Sequence, residues 1–172
     1  MKIKNPILLL TFTTLLLILG SAFIFGMSQN NSPQIISSEN AKAELVEGQN
    51  FDWGKIDYSG KKATKTFTIK NVGKDVLKLY NIRTSCMCTN VYLTIDGVNS
   101  PEFGMDMGSS ISSYTGEIKP KDKAKLTVVF DPSYHGPQGI GPVTRYVEVD
   151  TNDKSNPKLT FTLTGVVVND EN

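Results

Sequence analysis

The sequence predicts an all-β fold: one antiparallel β-sandwich of about seven strands, carried behind an N-terminal transmembrane helix. Three observations predict it. Apolar residues alternate with polar ones at period two in several short runs. Turn signals separate those runs at regular intervals. No stretch after residue 28 keeps a helical period over ten residues.

The clearest strands come first. Thr64–Lys70 alternates with Phe67 and Ile69 on one face. Ala124, Leu126, Val128 and Phe130 line a face opposite Lys125 and Thr127. Leu159, Phe161, Leu163, Gly165 and Val167 alternate against Thr160, Thr162 and Thr164. Weaker runs are Glu44–Val46, Val76–Ile82, Asn90–Ile95 and Thr144–Val149. Between them stand Asn71-Val72-Gly73, Asp96-Gly97, Lys119-Pro120-Lys121-Asp122 and Thr151-Asn152-Asp153, all turn formers. Two stretches break the rhythm: Asn99–Thr115, rich in Gly, Ser and Met, and the Gly/Pro-rich Ser133–Pro142.

The transmembrane expectation rests on Ile7–Phe25, which is almost wholly apolar. Nineteen helical residues rise about 28 Å, close to the thickness of a bilayer's hydrocarbon layer. Thr hydroxyls inside such a helix bond back to its own carbonyls. Lys2 and Lys4 precede the segment, and no further Lys or Arg appears until Lys42. That asymmetry places the rest of the chain outside the cytoplasm. The expected organisation is a single-pass anchor in the cytoplasmic membrane (residues 1–27), a polar spacer (28–42) and an extracytoplasmic sandwich (43–172). If the segment is instead a cleaved signal, with Gly20 and Ala22 as its small-residue site, the body is periplasmic or secreted.

Charge excludes one class of partner. Lys2 and Lys4 are two of the 18 basic residues, and the rest nearly balance 17 acidic ones. A near-neutral body gives no basic stripe for nucleic acid. The densest basic run, Lys119 to Lys125, is broken by Pro120 and Asp122 and reads as a turn and strand edge.

An ordered set of motifs carries a family resemblance. It comprises Phe51-Asp52-Trp53-Gly54, Phe67–Gly73, Thr84-Ser85-Cys86-Met87-Cys88-Thr89, Ile118-Lys119-Pro120, Val129-Phe130-Asp131 and Thr151-Asn152-Asp153. In this order they resemble the bacterial domain-of-unknown-function family 1573, itself similar to the immunoglobulin-like domains of abnormal-spindle and hydin proteins. The resemblance covers about residues 44–168. It implies an exported immunoglobulin-like sandwich and carries no assigned activity. Met87 stands where that family usually has Gly, and Asn99–Thr115 reads as an insertion.

Cys86 and Cys88 are the only cysteines. On an extended strand they share a face with Cα atoms about 6.5–7 Å apart, so a disulfide between them needs a local bend. Three readings stay open. The pair is structural, either as small buried side chains or as a bent disulfide. Alternatively, it is a soft-metal site for Cu(I), with Cys86 and Cys88 joined by Met105, Met107 or the sole histidine, His135. Or it exchanges with other thiols, which requires an accessible sulfur near a cation; Arg83 is the nearest cation in sequence.

No nucleophile motif, histidine triad or phosphate-binding loop is present, so an enzyme is not expected and no catalytic residue is assigned. No cofactor is expected, with copper at the cysteine motif the open alternative. The favoured expectation is a membrane-anchored interaction module for an envelope protein or glycan, contacting its partner through the Ser85–Thr89 turn and the two irregular loops.

Overall fold

The computed structural model describes residues 10–16, 35–105 and 113–169. The chain divides into two compact units, Met1–Gln34 and Ile35–Asn172. In the first unit residues 10–16 are helical. Thr13 donates to the Leu10 carbonyl at 2.9 Å and Thr14 to the Thr11 carbonyl at 3.0 Å, the back-bonding that makes Thr acceptable there. Among the described residues no helix is long and apolar enough to cross a membrane. The rest of Ile7–Phe25 lies outside the described residues.

The second unit is a sandwich of two five-stranded sheets. Its strands are β1 (Ala43–Leu45), β2 (Asn50–Asp57), β3 (Ala63–Asn71), β4 (Leu77–Thr84), β5 (Thr89–Ile95), β6 (Val98–Asn99), β7 (Thr115–Ile118), β8 (Lys123–Phe130), β9 (Gly141–Thr151) and β10 (Lys158–Val168). One sheet has the order β1-β3-β8-β5-β6, the other β2-β10-β9-β4-β7. The inward faces are the alternating residues expected. Phe67 and Ile69 of β3, Val91 and Leu93 of β5, and Leu126 and Val128 of β8 meet Leu79, Val147, Val149, Phe161 and Leu163 of the other sheet. Phe67 and Phe161 touch across the sandwich with ring centroids 4.8 Å apart.

Three features differ from the sequence reading. First, the described residues form ten strands rather than about seven, and the fold is not purely antiparallel. β2 pairs parallel with β10, from Thr162↔Asn50 to Val168↔Asp57. The alternation that marks a strand is broken in β2 at Gly54, whose φ is +67°. The register of the β2–β10 pair shifts between Thr164 and Val166. Gly165 sits at that bulge because a Cβ there would lie 2.8 Å from Ile56 Cδ1 and 3.2 Å from the Gly54 carbonyl.

Second, the end of the expected spacer, 28–42, packs as part of the domain. Ser38 bridges Asp153, and Ala41 is fully buried. The Lys42 carbonyl accepts from Val72 N, and the Asn40 carbonyl from Lys74 N. Polar composition hid this because the segment is held by main-chain bonds, one small apolar side chain and polar contacts such as Ser38 Oγ to Asp75 at 2.7 Å and Lys42 Nζ to Asp153 at 3.3 Å. Gly73 permits the approach: any Cβ there would overlap the Asn40 carbonyl.

Third, the described part of the Asn99–Thr115 insertion is built into the sheet. Val91 and Phe103 exchange both backbone hydrogen bonds, at 2.9 and 2.8 Å, and Phe103 is buried against Tyr114.

Candidate functional site: a disulfide-closed turn

β4 and β5 belong to different sheets, so Ser85–Cys88 carries the chain across one end of the sandwich. Thr84 makes that crossing tight. Its buried hydroxyl lies 3.0 Å from the Cys86 carbonyl and 2.9 Å from that of Thr89. Thr89 N also donates to the Cys86 carbonyl, at 3.1 Å. The backbone therefore curls, and the two cysteine Cα atoms come within 5.2 Å, inside the ordinary disulfide range. Cys86 and Cys88 are disulfide-bonded.

The two sulfurs have different surroundings. Cys88 is 3% exposed and joins a small cluster with Ile56, Phe130, Val143 and Val167. Trp53 stacks on Phe130 and closes that cluster, centroids 5.6 Å apart. Cys86 is half-buried, while Met87 between them is 50% exposed. Arg145 of β9 donates from Nε to Cys88 Sγ at 3.1 Å. Its guanidinium lies 5.1 Å from the Phe130 ring centroid and bonds the Thr144 carbonyl. Burial lowers the Arg145 pKa from its ordinary value; a guanidinium nonetheless stays charged in proteins.

The Gly/Pro-rich loop supplies the second neighbour. His135 Nε2 is 3.3 Å from Cys86 Sγ. Asp131 N holds the start of the loop to the Cys88 carbonyl at 2.9 Å. The Asp131 carboxylate accepts from Ser133 and pairs with Lys62, and these contacts keep its pKa below the usual value against the opposing effect of burial. A 3-10 turn, Gly136–Gly139, then leads into β9.

The structure thus gathers three of the five candidate ligands. The donor atoms of Cys86, Cys88 and His135 all lie within 4.8 Å of one another. Met105 is near in topology, since its backbone bridges Thr84, while Met107 lies outside the described residues. The soft-metal reading requires the reduced pair. Both sulfurs are spent on each other, and a disulfide offers no thiolate to Cu(I). Arg83 is not the cation at the motif either, because it pairs with Glu148 and Asp150. That place belongs to Arg145, which lies 57 residues beyond Cys88 and enters only through the β4–β9 register.

The motif Thr151-Asn152-Asp153 has a structural task. Asn152 bonds Lys78 N and the Val76 carbonyl. Asp153 is fully buried and accepts from Ala43 N, Ser155 N, Asn156 and Lys42.

Residues 45–102 match the family model of the protein of unknown function DUF1573. The resemblance read from the motifs holds over this stretch, which is shorter than the span expected. The DUF1573 match runs from the end of β1 to beyond β6 and includes Cys86 and Cys88, whereas His135 and Arg145 lie outside it. No curated protein matches the chain in sequence. A protein of unknown function from Porphyromonas gingivalis W83 superposes with a TM-score of 0.55 at 18% identity. The alignment covers 78% of this chain and 50% of that one, so the chain spans half that protein's length. That likeness shows the shared fold. PapD-like domain 7 of human CEP192 aligns at TM-score 0.47 and 15% identity, over 80% of this chain and 93% of the domain. A C. elegans MSP family member, WR4, aligns at TM-score 0.40 and 10% identity, over 76% of this chain and all of that one.

Proposed function

We propose that the chain is an extracytoplasmic interaction module held at the cytoplasmic membrane by Ile7–Phe25, with no enzymatic activity of its own. One observation carries the reading. The chain enters the sandwich beside the 72–75 and 151–155 turns, and the disulfide turn lies at the opposite end with Met87, Tyr134 and Tyr146 exposed around it. Met87, Tyr134 and Tyr146 around the turn offer a contact surface. The surface around the disulfide turn would meet an envelope protein or glycan. The disulfide supports the placement, since such bonds persist in oxidising spaces outside the cytoplasm.

The test has two parts. In intact cells, a membrane-impermeant reagent should reach a C-terminal tag only if the body is exported. A Met87→Lys, Tyr134→Ala variant that remains folded should then reproduce the phenotype of deleting the whole chain. Full complementation by that variant removes the disulfide end as the contact surface.

A further inference from the structure

We propose that the Cys86–Cys88 disulfide is an exchange site that accepts reducing equivalents from a dithiol, with Cys86 as the attacked sulfur and Cys88 as the leaving one. The inference goes beyond the interaction reading and stands without it, because it rests on the unequal surroundings of the two sulfurs.

Access selects the attacked atom. Cys88 is 3% exposed beneath Phe130 and Val143, whereas Cys86 is half-buried at the rim. An incoming thiolate must approach along the S–S axis from the Cys86 side. Charge selects the leaving atom. Arg145 Nε already donates to Cys88 Sγ at 3.1 Å, so the thiolate released there forms against a guanidinium. A better-stabilised leaving thiolate departs faster. His135 Nε2, 3.3 Å from Cys86 Sγ, stands where the entering thiol must shed its proton. Nothing in a purely structural staple calls for a cation on one sulfur and an imidazole on the other.

The chemistry balances with one co-reactant. The first thiolate of the dithiol attacks Cys86 Sγ. The Cys86–Cys88 bond breaks, a mixed disulfide forms at Cys86, and Cys88 leaves as a thiolate beside Arg145. The second thiol of the dithiol then attacks its own mixed-disulfide sulfur and expels Cys86. The dithiol ends as a disulfide, Cys86 and Cys88 end as thiols, and its two protons pass to them. The curl that brings the cysteines together is built by Thr84 and does not depend on the bond, so the reduced pair stays placed to close again.

The full-length chain in detergent micelles tests this with dithiothreitol as the dithiol. Native protein should be reduced without unfolding. Arg145→Gln should slow the reduction about three- to tenfold, given a contact that shifts a thiol pKa by about one to two units and a rate sensitivity near one half. Arg145→Lys, which keeps the charge, should recover most of the rate. In reduced protein the thiolate absorbance should titrate lower in the native chain than in Arg145→Gln, a signature that a packing role would not move. As a check independent of Arg145 folding, a Cys88→Ser chain should capture an aromatic disulfide reagent at Cys86 at least tenfold faster than Cys86→Ser captures it at Cys88. Equal capture by the two single-cysteine chains, or a native bond that dithiothreitol opens only on denaturation, overturns the proposal. So does a rate that Arg145→Gln leaves unchanged.

Discussion

At the scale of single residues, buried polar side chains do the joining. Asn71 is fully buried, and its amide nitrogen donates to the Asp75 and Ile118 carbonyls, each at 2.8 Å, while its Oδ1 accepts from Gly73 N. Asn71→Ala leaves those groups without partners and should cost about 2–3 kcal/mol, read by urea denaturation. Asp153 gives a pH dependence. Burial alone would raise its pKa, but the bonds from Ala43 N, Asn156, Ser155 N and Lys42 outweigh burial and hold it at about 2, below the ordinary 3.8. A carboxylate depressed on folding stabilises the fold above its unfolded pKa. Here about 2 kcal/mol is present above pH 5 and is lost as the pH falls from about 4 to 2. Asp153→Asn should remove that contribution at neutral pH and flatten the acid limb of the stability curve; an unchanged acid limb would contradict the assignment.

Secondary elements show where local signals suffice and where they fail. The Asp96-Gly97 turn is legible because both residues take positive φ, +51° and +80°, as a two-residue hairpin between β5 and β6 requires. β3, β8 and β10 are legible because each has one face in the core. β2 is not, since it pairs on one side only and bends at Gly54. Segment 38–42 is invisible to composition because main-chain bonds and polar side chains such as Ser38 and Lys42 hold it, and a polar stretch held in this way has the same residue types as a solvated one. Its dependence on Gly73 is testable. Gly73→Ala should destabilise by about 1–3 kcal/mol. The loss should appear as faster amide exchange at Lys74 and Val72, whose donors bond the segment, before the β3–β8 ladder opens.

At the scale of the whole molecule, the disulfide closes a very short loop and adds little to global stability. Chain-entropy arithmetic for three residues gives about 1.5 kcal/mol. The main core of Phe67, Leu126, Phe161 and their neighbours does not touch it. Changing both Cys86 and Cys88 to Ser should therefore lower Tm by only a few degrees in calorimetry; collapse of the fold would show that the bond is a structural necessity. The proposed membrane attachment is likewise tested on the whole chain. The protein should sediment with membranes, resist carbonate extraction and dissolve in detergent, and release by carbonate alone would argue against an anchor at Ile7–Phe25.

By itself the sequence determined the all-β class, most of the strands, the family resemblance and the pairing candidates Cys86 and Cys88, because period-two burial and turn chemistry are local properties. His135 could be nominated only as a lone histidine, and Arg145 could not be nominated at all. Only the tertiary structure decided the parallel β2–β10 pair, the packing of 38–42 and the company of the two sulfurs. Those depend on strand register and on how two sheets end together, and residues 49 and 57 positions apart meet there without any signal at short range.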